Sequence, residues 1–330
     1  MPARPRSPLP ALLLALLVLP LLAACRGQPG SPAELPGATS EPAGAVRQLA
    51  DHLQRNDLAA FARDAVPPRT HAALAGAWSR DRSRWPLTEL PLDDQLPGLL
   101  ATLGEPGAEP VLRKRFDAQL AGQDTALRDA ARSLALFGGQ YLRQQRQYSD
   151  EKRAHSIDAV QALGGWASQA PLGDRARGHA ALERLTAAAR ATGLASDADL
   201  RAAGMEDSLR RLGPFLAAVK ATTADYGLDL DRSLADLRTG LVEQQGERAT
   251  VRLHYPLAAQ EIDATVRLTR VDGHWYLDGY LEEAARLIAA DTPLDALPEP
   301  PDPADPPGGA GAADPALPAP PAAGGDPAGR

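Results

Sequence analysis

Six histidines, one cysteine and a few acidic and aromatic clusters are the residues of this chain that could do chemistry. His52, His71, His155, His179, His254 and His274 show no metal-ligand spacing, so they read as surface or capping residues, and no metal or cofactor is predicted. Cys25 is the sole thiol. His254 stands on a strand pattern with Arg252 and Asp263 near it in any hairpin register. An acid–base cluster is conceivable there, and solvated cross-strand pairing accounts for the same residues. Asp229 and Asp231 could face a cation, and they also suit the start of a helix. Arg84 and Trp85 lie in Ser83-Arg-Trp-Pro-Leu-Thr-Glu-Leu-Pro91, a proline-stiffened loop that would expose a cation beside an aromatic, so these two are the candidate binding residues. The chain contains no Gly-x-Ser-x-Gly, His-Glu-x-x-His, Walker loop or dinucleotide glycine fingerprint, and no catalytic residue is nominated.

Cys25 follows Leu22-Ala23-Ala24 at the end of an apolar run that begins at Leu9, behind Arg4 and Arg6. A basic n-region, an apolar h-region and small residues before a cut describe a secretory signal. Leu-Ala-Ala-Cys resembles the lipobox of bacterial lipoproteins. The resemblance implies cleavage before Cys25, acylation there, and a partner in the lipid bilayer itself. Residues 1–24 are then a signal peptide. Arg26 in place of Asp implies sorting to the outer membrane, periplasmic face, over inner-membrane retention. Each buried CH₂ contributes about 0.8 kcal/mol, so several chains hold a protein firmly.

With Cys25 acylated no disulfide can form, and stability must come from burial. Residues 25–41 are rich in Gly, Pro and Ser and read as a flexible spacer with about 20 Å of r.m.s. reach. Residues 291–330 hold twelve prolines and seven acids against Arg330 alone, a composition that predicts a disordered tail of polyproline character. The whole chain is charged −7, most of it in that tail. The near-neutral body offers no basic field for nucleic acid.

Between spacer and tail the elements that must position any site are mostly helical. Val46, Leu49, Ala50 and Leu53 repeat at helical spacing, Asn56-Asp57 caps a second run through Phe61 and Ala65, and Pro67-Pro68 stops it. Further helices are predicted from a Thr70 cap through Leu74, Ala77 and Trp78, and over Leu96 to Leu103, Val111 to Leu120 and Leu127 to Tyr141. Ser149 starts another, Asp174 one that Gly193 closes, and Leu209 to Tyr226 one that Pro214 kinks or divides. A last helix is predicted from Asp229 or Asp231 through Leu234, Leu237 and Leu241, completing a helical region over residues 42–245.

After Gly246 the period changes to 2. Val251, Leu253, Tyr255 and Leu257 alternate with polar residues, Ile262 to Thr269 do the same, and Asp272-Gly273 offers a tight turn into His274 to Tyr280. Residues 246–290 therefore read as a three-stranded antiparallel meander plus a C-terminal helix. The fold class is α+β, a mainly helical body with a small sheet. Gly246-Glu-Arg-Ala-Thr-Val-Arg-Leu with Val271-Asp-Gly-His-Trp-Tyr-Leu resembles the closing strands of nuclear-transport-factor-2-like domains, and Leu49 to Phe61 resembles their opening helices. That resemblance implies a cone-shaped domain with a large helical insertion, a fold used by enzymes and binding modules alike.

The resulting expectation is a noncatalytic lipoprotein that binds an envelope protein or a small apolar ligand. An envelope hydrolase and a carrier of hydrophobic ligands are the alternatives. A deep apolar cavity under the sheet would favour the carrier, and a concave polar pocket holding two or more carboxylates or histidines would favour the hydrolase.

Overall fold

The computed structural model describes residues 41–291 apart from 90–94 and 147. The lipobox, nearly all of the spacer and the acidic tail after Asp291 lie outside the described residues.

Eleven α-helices precede and flank one sheet among the described residues. They are α1 Pro42–Gln54, α2 Leu58–Asp64, α3 Pro68–Ser79, α4 Leu96–Gly104, α5 Ala108–Gln119, α6 Asp124–Gln144, α7 Asp150–Ala167, α8 Arg175–Thr192, α9 Asp197–Asp225, α10 Leu230–Ala235 and α11 Asp278–Asp291. Strands β1 Arg238–Gln245, β2 Arg248–Leu257, β3 Gln260–Val271 and β4 His274–Leu277 lie between α10 and α11. The sheet is antiparallel in the order β1-β2-β3-β4.

Helix starts follow the capping residues. Asp57 accepts from Ala60 N at 2.9 Å, Ser149 from Lys152 N at 3.1 Å, and Asp174 from Arg177 N at 2.8 Å. Asp229 does the same for α10, accepting from Arg232 N at 2.9 Å. Each bond satisfies an amide that the helix itself leaves open, at about 1 kcal/mol apiece. Gly193 ends α8 at φ 62°.

Three features depart from expectation. α3 begins at Pro68 and not at Thr70, because proline at a first helical position loses no hydrogen bond. The break in α9 is at Gly204, at φ 76° and ψ 171°, whereas Pro214 is accommodated within the helix. The sheet has four strands and begins at Arg238, not at 246. The helix expected through Leu241 stops at Ala235, Asp236 turns the chain, and Leu237 leads into β1.

Two-residue turns join the strands at Gly246-Glu247, Ala258-Ala259 and Asp272-Gly273. Their first residues have φ of 58°, 55° and 50°. That places Ala249, Val251 and Leu253 of β2 on one face with Leu268 of β3 and Trp275 of β4, packed on Ala45 and Val46 of α1. Further along the sheet Leu257 and Ile262 pack on Ala162 of α7 and on Leu228. The apolar face of the sheet is filled.

A larger core joins α1 to α4 with α8, α9 and α11 around Trp78, Trp85, Leu74, Leu100, Leu200 and Leu209, all at 1% exposure or less. Burying each such side chain contributes roughly 1.5–3 kcal/mol.

Candidate functional site

Arg84 and Trp85 leave the C-terminal end of α3, where Asp81 turns the chain at φ 64° and Arg82 N returns to Ala77 O. The turn aims the two side chains in different directions. Trp85 is wholly buried, its ring edge-on to Tyr280 at 6.3 Å and its peptide to Pro86 cis. The exposed aromatic that the loop composition predicted is therefore a core residue. The prolines shape a turn that packs inward, and indole area gains more from burial than from water.

Arg84 instead lines a cleft of about 290 Å³ with Ser83, Thr88, Leu96, Asp197 and Leu200. Its guanidinium lies 5.1 Å from the Trp78 ring, ion-pairs with Asp81, and donates through Nη1 to Ser83 O at 3.0 Å and Trp78 O at 3.3 Å. Arg84 Nε and Thr88 Oγ1 are buried without a hydrogen-bond partner among the described residues. A small acceptor, including water, fits such a place.

A second concavity of about 600 Å³ lies between the polar face of the sheet and α11. The β2–β3 register sets Arg248 opposite Thr269 and Thr250 opposite Arg267, so cations and hydroxyls alternate across the floor. Glu243 of β1 and Asp278 and Glu282 of α11 also line the groove. Thr269 Oγ1 donates to Asp278 Oδ1 at 2.7 Å. The arrangement can hold a polar ligand carrying both signs of charge.

The register brings His254 directly opposite Asp263, as the alternating pattern predicted. Nδ1 lies 3.2 Å from Asp263 Oδ1 and Nε2 3.0 Å from Glu261 Oε2, while Arg252 Nη2 is 3.1 Å from Asp263. Hydrogen bonding to His254, with the Arg252 charge beside it, holds the Asp263 carboxyl below its usual range. Both ring nitrogens face carboxylates, which is the cross-strand pairing that the alternation of residues offers.

Asp229 and Asp231 do not converge on a cation. Asp229 caps α10, and Asp231 pairs with the buried Lys220 ammonium. No cluster of three or more His, Cys, Asp or Glu suited to a metal occurs among the described residues.

Two polar clusters escape sequence reasoning. His52 Nε2 is 2.8 Å from Asp64 Oδ2, Arg55 Nη2 is 3.0 Å from His52 Nδ1, and Gln48 and Arg63 also donate to Asp64. Arg55 has only donors, so Nδ1 accepts and Nε2–H is the donor to Asp64. Burial alone would raise the Asp64 carboxyl, but hydrogen bonds from His52 and Arg63 outweigh it and hold the group below its usual range. The dyad joins α1 to α2. Twelve residues separate its members and no motif marks them.

The other cluster is Tyr255, whose hydroxyl lies 2.7 Å from His155 Nε2 between the sheet and α7. Burial, with the Asp158 charge nearby, pushes the Tyr255 hydroxyl up to about 12, and burial pushes the His155 ring down. A neutral imidazole therefore accepts from a neutral phenol.

Comparison with family models, with curated proteins and with solved structures finds no match to this chain.

Proposed function

We propose that this protein is a lipid-anchored envelope protein that binds a protein partner or a polar ligand without turning it over. One observation carries the reading: Leu22-Ala23-Ala24-Cys25 closes an apolar run that opens behind Arg4 and Arg6, and its cysteine is the only thiol in the chain. Arg26 favours the outer membrane, periplasmic face. No helix among the described residues is long and apolar enough to cross a membrane.

The filled apolar face of the sheet counts against the small apolar ligand and the hydrophobic carrier. The groove floored by Arg248 and Arg267 is polar, and the Arg84 cleft sets Arg84, Ser83, Thr88 and Asp197 beside Leu87, Leu96, Pro97 and Leu200. They support recognition of a ligand rich in hydrogen-bonding groups. Labelling cells with an alkynyl fatty acid tests the anchor: label on the wild-type chain and none on Cys25→Ser is expected. An unmodified thiol at position 25 in intact-mass spectrometry would sink the reading.

A nuclear-transport-factor-2-like frame is also part of this proposal, with α1, α2 and β1–β4 as the cone and α3 to α9 inserted. Its support is the packing of Ala45 and Val46 on the sheet, which joins the opening helix to the closing strands. A crystal structure in which α1 lies off the sheet would remove that support.

One observation favours the hydrolase reading: the groove holds the carboxylates of Glu243, Asp278 and Glu282. Turnover on a hydrolase panel that Asp278→Asn abolishes, in a folded variant, would establish an enzyme and end the noncatalytic reading.

A further inference from the structure

The largest exposed apolar side chains outside the sheet lie on α6. Leu134, Phe137 and Tyr141 are 71%, 72% and 59% exposed, and with Leu127 and Ala130 they occupy spacings of three and four residues along 21 residues of helix. Alternating steps of three and four make a coiled-coil seam, the pattern by which one helix packs on another helix. Leu136, equally exposed, lies off this seam.

The opposite requirement, packing within the chain, is already met elsewhere on α6. Small residues make the contact with α7: a Cβ at Gly164 would meet Ala135 Cβ at 2.2 Å, and one at Gly138 would meet Val160 at 3.2 Å. At 100° per residue the seam lies about 100° around α6 from the Ala131, Ala135, Gly138 and Leu142 side. Two contact faces at roughly a right angle are what a helix needs at the corner of a four-helix arrangement.

We propose that α6 pairs antiparallel with α6 of a second copy of this chain along Leu127, Ala130, Leu134, Phe137 and Tyr141. The open flank of the seam carries Ala126, Ser133 and Gln140. In an antiparallel pair these meet their own counterparts, so no charge faces a like charge and the helices can approach closely. The exposed aromatic and leucine area with its small neighbours is roughly 500 Å² per copy. Both copies together bury about 1,000 Å², which reaches the lower bound for a specific interface. The seam is self-complementary, as a twofold interface requires.

The experiment uses the full chain with Cys25→Ser, so that its outcome does not depend on acylation. Leu134 sits near the centre of the seam, where the twofold axis would pass. Leu134→Cys is expected to give a disulfide-linked dimer under mild oxidation, and Arg132→Cys, on the far side of α6, is not. This readout is specific to position, so association through the apolar leader does not imitate it. In sedimentation equilibrium Phe137→Glu is expected to raise the dimer dissociation constant by ~30-fold or more. Both side chains are exposed, and an unchanged melting temperature checks that the fold survives. Equal crosslinking at 132 and 134, or a mass unaffected by Phe137→Glu, overturns the proposal. So does a monomer that floats with phosphatidylethanolamine and phosphatidylglycerol vesicles and loses them on Phe137→Glu, which would assign the seam to lipid.

Discussion

Lys220 Nζ donates to the carbonyls of Leu53 at 2.9 Å and Gln54 at 3.0 Å, so one ammonium on α9 closes the C-terminal end of α1. The side chain is 3% exposed and also pairs with Asp231. Removing it leaves two helix-end carbonyls short of a partner and a half-exposed carboxylate without its cation. Lys220→Met is expected to cost about 2 kcal/mol in urea unfolding, with the denaturant slope unchanged. A midpoint equal to that of the wild type would show that water replaces the ammonium.

The His52 and Asp64 pair is buried on both sides. Asp64→Asn keeps the shape and removes the charge that Arg63 and His52 address, so a loss of about 3 kcal/mol at neutral pH is expected. The acid limb should change with it. A carboxyl held below its usual range in the fold contributes fully above the unfolded value, near 3.9, and loses that contribution as pH falls through the folded value. Stability of Asp64→Asn measured from pH 5 down to pH 2 is therefore expected to fall less steeply than that of the wild type. Parallel curves would mean the pair does not drive acid unfolding.

His155 and His71 are lowered as well, in their case by burial of the ring. Below about pH 6.5 the unfolded chain takes up protons that the folded chain refuses, so stability falls as pH drops through the window between the usual and the lowered value. His155→Gln keeps an acceptor for the Tyr255 hydroxyl and cannot be protonated. It is expected to flatten the stability profile between pH 7 and 5, read by thermal melts across that range. His254→Gln, on the exposed face, serves as the comparison, with a change at pH 7 within about 0.5 kcal/mol.

Much of the fold can be read in the sequence where one face of an element is buried and the other is wet. β2 and β3 show this: Val251, Leu253, Ile262 and Leu268 are all at 7% exposure or less, and their register follows from two-residue turns. β1 lacks that contrast. Leu241 and Val242 are about half exposed on an edge strand, a bulge falls between Leu241 and Glu243, and the leucine spacing from 234 to 241 imitates a helix. Trp85 misled for another reason, since proline and arginine around it describe the backbone turn and not the direction of the indole. The same loop composition nominated Arg84, whose guanidinium lines the cleft. The groove was not legible, because Arg248, Arg267 and Asp278 converge only through register and the placement of α11. His52 and Asp64 carry no spacing signal, as their meeting depends on how α2 folds back on α1.

The α6–α7 hairpin gives the sharpest steric prediction. Gly164 faces Ala135 so closely that a methyl group would sit 2.2 Å from the alanine Cβ, well inside van der Waals contact, with the Ala135 backbone directly behind it. Neither atom is the movable end of a flexible side chain, so the helices must separate. Gly164→Ala is expected to destabilise by about 1–3 kcal/mol despite the higher helix propensity of alanine, worth about 1 kcal/mol in the other direction. Gly138→Ala is the matched comparison, because the only obstacle is the Val160 methyl at 3.2 Å, which can yield by a few tenths of an ångström. Gain from propensity and loss from crowding then nearly cancel. Thermal melts of the two variants should split in that order, and a Gly164→Ala protein as stable as Gly138→Ala would mean that α6 and α7 are not held at this close crossing.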